Sequence, residues 1–176
     1  MNYEIKVQDK ISYIEEGTGE PLLLLHGLFG ALSNFEHLIE HFRHRNKVIV
    51  PILPLFDLDI FHSTVSGLEK VVQKFIEARG YTGIHLLGNS LGGHVGLVHV
   101  LKHPEKIKSL TLTGSSGLFE KAMGDSYPKR GDYDYIKNKT EETFYDPAVA
   151  TKELVDEVFE ITRNRLKVIK ILALAK

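Results

Sequence analysis

Two hydrophobic periods run through this chain. "YEIKV" (residues 3–7) and "ISYIEEG" (11–17) place apolar residues at alternate positions, as strands with one buried face do. They read as an antiparallel hairpin, and the turn cluster "GTGEP" separates it from the next apolar run. That run, "PLLLLHG" (21–27), is continuous and ended by glycine, which suits a strand covered on both sides. In "SNFEHLIEHFRHR" the period changes: Phe35, Leu38, Ile39 and Phe42 have helical spacing, with Ser33 or Asn34 able to cap the start. "KVIVPIL" (47–53) returns to a buried strand. "STVSGLEKVVQKFIEARG" (63–80) is an amphipathic helix with cap residues before it and Gly80 after it. "IHLLG" is a strand, "SLGGHVGLVHVLKHP" a helix and "IKSLTLTG" a strand again.

Beyond the hairpin, strand and helix therefore alternate. This order predicts an α/β fold: a mostly parallel sheet with helices on both faces and right-handed crossovers. Sites in such sheets lie at the carboxyl ends of strands. His26-Gly27 and the segment Gly88 to Gly92 both fall at those ends. From Gly117 the texture turns polar, charged and tyrosine-rich, then helical to the last residue. The predicted division is residues 1–116 as sheet core and 117–176 as the start of a helical lid, or else as a plain helical extension.

Composition narrows the function classes. With 43% hydrophobic and 26% charged residues the chain is ordinary globular material. A formal charge of −1 lacks the basic footprint of a nucleic-acid binder. There is no cysteine, hence no disulfide and no thiolate metal site. The charged start "MNYEIKVQDK" has no signal-peptide core, and no apolar run is long enough to span a bilayer. The expectation is a cytoplasmic protein without membrane or nucleic-acid partners. The helically spaced His37, His41 and His44 lack carboxylates in motif spacing and read as a solvated face, so no metal site is expected.

The chemistry concentrates at "IHLLGNSLGGHVG" (84–96). Gly88 and Gly92 flank Ser90 by two residues on each side. A tight strand-to-helix turn leaves no room for side chains there and projects the serine hydroxyl outward. At the start of a helix, Ser90 also meets free N–H groups and the positive end of the helix dipole. The N–H of Leu91 would face an oxyanion formed by attack on a carbonyl. A plain close contact between helix and strand, with Ser90 as cap, is the competing account of the same residues.

"LLLLHGLFGALSNF" together with "LLGNSLGGHVGL" resembles the α/β-hydrolase superfamily. The resemblance implies the α/β-hydrolase fold, incomplete at the C-terminus, with Ser90 as nucleophile. It makes Leu28 the second oxyanion donor beside Leu91, with Phe29 and Asn89 lining the pocket. His26, Gly27, Gly88 and Gly92 become structural parts of the motif, His26 holding the loop rather than acting as base. The family segment Asp-x-Pro-Gly-x-Gly-x-Ser is replaced by residues 52–59, where only Pro54 matches; Asp57 and Asp59 there read as solvated carboxylates. A serine nucleophile also separates the chain from the aspartate-using dehalogenases and epoxide hydrolases.

A serine hydroxyl needs a base. The family order is nucleophile, acid, histidine. None of the nine histidines follows His103, and His94, one turn beyond Ser90, leaves from its own helix. The acid and histidine are therefore expected in a C-terminal remainder of the same protein. The final apolar-periodic helix, with Leu166, Ile169, Leu172 and Leu174, is expected to lack cover. The implied activity is hydrolysis of a small-molecule carboxylic ester or other acyl substrate through an acyl-enzyme, without cofactor. Hydrolysis of carbon–carbon bonds in ring-cleavage products, or non-catalytic ligand binding on the same fold, are the alternatives.

Overall fold

Strands β1 (Lys6–Gln8) and β2 (Ile11–Glu16) form the hairpin in a computed structural model that describes residues 3–28, 35–118 and 131–174. Asp9 and Lys10 between them both take positive φ, 48° and 69°, as a tight two-residue hairpin turn requires. The first strand begins later than its alternation predicts. Tyr3 packs instead against the core cluster of Ile14, Leu24 and Ile39, and its hydroxyl donates to Glu40 at 3.1 Å.

Strand and helix then alternate as predicted: β3 (Glu20–Leu25), α1 (Glu36–Phe42), β4 (Asn46–Pro51), α2 (Val65–Arg79), β5 (Ile84–Asn89), α3 (Leu91–Lys102) and β6 (Ile107–Thr113). The sheet order is β1-β2-β4-β3-β5-β6. The hairpin joins through an antiparallel β2–β4 pair; β4, β3, β5 and β6 run parallel.

Alternation within each strand sorts the core onto two faces. Ile14, Leu24, Val48 and Val50 meet Phe35 and Ile39 beside α1. Their neighbours Tyr13, Leu23, Leu25, Ile49 and Leu86 are also buried, as are Leu68, Val72, Phe75 and Ile76 of α2 and Val95 of α3. Tyr13 meets Phe75 edge-on with ring centroids 5.0 Å apart. Helices thus cover both faces, α1 on one and the α2–α3 pair on the other.

The start and stop signals of α2 act as the sequence predicts. Thr64 Oγ1 accepts the Gly67 N–H at 3.0 Å, and Gly80 closes the helix at φ 66°. At α1 the N-cap is Phe35, without a side-chain hydrogen bond; Ser33 and Asn34 lie outside the described residues.

On β6, Ser109, Thr111 and Thr113 are exposed. A cleft of about 360 Å³ on this side of the sheet is lined by Leu22, Leu38, Phe42, His85, Leu87 and Thr111, among others.

The chain divides into two compact units, Met1–Phe119 and Glu120–Lys176. The second contains α4 (Tyr133–Glu141), α5 (Lys152–Arg163) and α6 (Arg165–Leu174). Tyr133 packs edge-on against Phe159 at 5.1 Å and donates to Asp156 Oδ1 at 2.6 Å, which joins α4 to α5. Leu166, Ile169 and Leu172 are exposed, as their pattern suggests. Leu174 is not: it shares a face with Val168 and Ile171, three and six residues back, and is buried with them. Among the described residues no helix is long and apolar enough to cross a membrane.

Candidate active site

The chain leaves β5 at Asn89, turns at Ser90 and enters α3 at Leu91. Ser90 sits at φ 52°, ψ −119°, a region L-residues rarely occupy and hold only when their surroundings enforce it. The enforcement comes from both directions. Ser90 N–H donates to Thr113 O at 3.1 Å, while Ser90 O accepts from Gly93 N–H, His94 N–H and Ser116 N–H at 3.0–3.2 Å. Thr113 and Ser116 at the end of β6 are site residues that sequence reasoning missed. The signal for them is the small-residue run "TGSSG" at another strand's carboxyl end.

The flanking glycines are sterically required. A Cβ on Gly88 would lie 2.5 Å from Gly92 O and from Gly93 Cα. On Gly92 it would lie 2.1 Å from Leu25 O and 2.6 Å from His26 O. Helix α3 can therefore start directly against the ends of β3 and β5. Ser90 is half-buried, and its side chain caps no N–H of the helix. The N–H of Leu91, first in the helix, belongs to the turn whose donors lack intrahelical partners.

The loop after β3 lies against this bend. A Cβ on Gly27 would come within 3.1 Å of Ser90 Cβ. His26, 3% exposed, uses both ring nitrogens: Nε2 accepts the Leu53 N–H at 2.9 Å, so Nδ1 carries the proton and donates to Gly27 O at 2.8 Å. Burial pushes its pKa below the usual imidazole value, against the opposing pull of the Gly27 carbonyl. His26 is thus neutral and bonded on both sides, joining the loop after β3 to the segment after β4. Leu28 is a half-buried turn residue directly beyond Gly27. Asn89 is held by β6, its Nδ2 donating to Thr113 O at 3.0 Å and Thr113 Oγ1 at 3.1 Å. Phe29 lies outside the described residues.

The remaining candidates have other surroundings. The His94 ring lies against Gly117, where an added Cβ would come within 2.4 Å of it. His37, His41 and His44 are exposed. Asp57 is exposed; Asp59, also exposed, is held below the usual carboxylate range chiefly by its 2.6 Å bond to His62 Nδ1. It accepts the Phe61 and His62 N–H groups as well, a turn-stabilising arrangement ahead of α2.

Comparison with known proteins agrees with this architecture. The family described as "alpha/beta hydrolase fold" matches residues 20–144. Lipase 1 of Psychrobacter immobilis is 31% identical over 124 residues, covering 67% of this chain and 39% of the lipase. A 2-hydroxy-6-oxo-6-phenylhexa-2,4-dienoate hydrolase of Comamonas testosteroni is 28% identical over 174 residues, 88% of this chain and 60% of that enzyme. Among solved structures, MGS-MChE2, an alpha/beta hydrolase enzyme from the metagenome of Mar Chica lagoon sediments in Morocco, superposes with a TM-score of 0.75 at 35% identity. That superposition covers 98% of this chain and 64% of that one. The chain thus spans less than two thirds of each of these relatives. The family match takes in every strand from β3 to β6 and the bend at Ser90, and the chain belongs to the alpha/beta-hydrolase family.

Proposed function

We propose that the chain is the amino-terminal part of a serine hydrolase that cleaves a carboxylic ester or other acyl substrate through an acyl-enzyme. The observation that carries this reading is the Ser90 backbone at φ 52°, ψ −119°, held between a strand end and a helix start. Ser90 Oγ attacks the acyl carbon, and the backbone N–H groups of Leu28 and Leu91 hold the resulting oxyanion. A histidine takes the Ser90 proton and returns it to the leaving group. Water then attacks the acyl-enzyme, and Ser90 regains its proton as the acid product leaves.

The histidine and the acid that orients it belong to chain continuing beyond residue 176. The absence of histidine after His103 and the partial span of the relatives support this assignment. The buried, doubly bonded His26 serves as the brace of the oxyanion loop. Residues 117–176 serve as the first part of the lid.

Hydrolysis of a carbon–carbon bond in a ring-cleavage product is a second reading. It is favoured by the dienoate hydrolase match, which extends over 88% of the chain. Incubation of the complete protein with a fluorophosphonate probe, followed by mass-spectrometric mapping, tests the shared nucleophile. An adduct on Ser90 is expected; an adduct elsewhere, with Ser90 untouched in an active preparation, overturns it. Comparing turnover of a short acyl ester with that of a vinylogous 1,5-diketone acid then separates the two substrate classes.

A further inference from the structure

Between α2 and α3, away from the bend at Ser90, lies a buried polar cluster that the serine chemistry does not use. Glu69 of α2 is 1% exposed and His99 of α3 is fully buried. Glu69 Oε1 is 3.2 Å from His99 Nδ1 and 3.6 Å from His103 Nε2. The three residues each offer a ligand atom, all within 4.8 Å of one another. We propose that Glu69, His99 and His103 form a binding site for a divalent transition-metal ion, zinc by the chemistry of its donors, that clamps α2 to α3. This departs from the expectation of no metal site, which weighed the absence of cysteine and the exposed His37, His41 and His44.

The geometry is that of a site needing little rearrangement. Two ligand atoms at 2.0–2.1 Å from a tetrahedral zinc stand about 3.3 Å apart. The two separations from Glu69 Oε1 bracket that value. His99 lies in the last turn of α3 and His103, four residues on, is its C-cap, whose N–H donates to His99 O at 2.9 Å, so both rings come to the same side. The rings lie with centroids 5.0 Å apart, tilted by 38°. One carboxylate with two imidazoles suits zinc better than the oxygen-seeking calcium or magnesium.

The other contacts of the cluster orient its donors. His99 directs Nδ1 at Glu69, so Nδ1 is the nitrogen it offers to the ion. Lys102 Nζ bonds the other carboxylate oxygen, Glu69 Oε2, at 2.6 Å. That contact fixes the carboxylate with Oε1 toward the histidines, as outer partners of metal ligands do. Lys102 and His103 have side chains 42% and 28% exposed, so the cluster opens to solvent on their side. Water can enter there as the fourth ligand.

The same contacts could make a purely ionic clamp, and the experiment separates the two. Chelator-stripped protein is titrated with Zn²⁺ by calorimetry, and thermal unfolding is followed with and without the ion. One ion per chain and a raised Tm are expected. His103→Ala, at the solvent-facing edge, should fold and lose at least about tenfold in zinc affinity together with the Tm rise. Glu69→Gln should do the same where it folds. A His37→Ala/His41→Ala variant controls for the exposed histidines of α1 and should bind as the parent does. No zinc binding by the parent, unchanged binding in His103→Ala, or loss confined to the α1 variant each overturns the proposal. Neither outcome bears on Ser90, since the readouts are affinity and unfolding.

Discussion

Ser90 holds a backbone conformation of the kind that costs on the order of 1–3 kcal/mol, and its carbonyl is gripped by three N–H groups so that it stays there. A serine needed only to cap α3 would adopt extended dihedrals and turn its oxygen to the helix, as Thr64 does at α2. Ser90→Ala in the complete protein should lower ester turnover by on the order of 10⁶, as loss of a triad nucleophile does, and abolish fluorophosphonate labelling. At Leu28 the proposed donor is backbone. Leu28→Ala should therefore shift substrate preference and keep most of the rate, while Leu28→Pro should lose roughly 10²–10³. Equal rates for Leu28→Pro and parent would remove this loop from the mechanism. His26 contributes a pH dependence whose sign comes from its lowered pKa. Below the ordinary histidine value of about 6.5 the unfolded chain takes up a proton that folded His26 refuses. Its stabilising contribution is complete above that pH and falls as the pH drops. Denaturant midpoints measured from pH 7.5 to 5 should decline less steeply in His26→Asn than in the parent.

The elements show which signals in a sequence are local. β3, β4 and β5 are legible as apolar runs, and both ends of α2 can be read, because a cap residue or a glycine acts within one turn of its own position. The late start of β1 is not legible, since the competing partner of Tyr3 is Glu40, 37 residues away. Nor is the tie between Glu69 and the α3 histidines, which depends on how two helices pack rather than on the pattern of either. The elbow glycines are intermediate. Their spacing is readable, but the clash behind Gly92 is with Leu25 and His26, at the end of a strand far away in sequence. Gly92→Ala should cost at least about 1–3 kcal/mol, the range for overpacking, and more if the backbone must move. Gly131→Ala is the matched control: a Cβ there meets nothing, so the change should stay within about 0.5 kcal/mol. Chemical denaturation of the two variants beside the parent checks both values.

For the whole molecule, the alternation of strands and helices makes the sheet class readable, and the family resemblance is what suggests the role proposed for Ser90. The acid and base are not readable, because the proposal places them beyond these 176 residues. The isolated chain should behave accordingly. Without a base, Ser90 should remain a weak nucleophile, and hydrolysis should fall to what binding and the oxyanion donors supply, roughly 10³–10⁴ over water. Surface features also predict association. Leu166, Ile169 and Leu172 are exposed together on α6, and β6 pairs on one side only among the described residues. Exposed apolar patches and open strand edges both promote contact between copies. A longer chain that supplies the acid and base should also add neighbours to β6 and raise solubility. The check is to express the 176 residues and the complete protein side by side, then compare ester turnover with sedimentation. Higher turnover and a smaller aggregated fraction are expected for the complete protein. If the 176 residues alone are monomeric and turn over ester through Ser90 at the rate of the longer protein, the base lies among the nine histidines. His94, whose backbone already bonds Ser90, is then the first to replace.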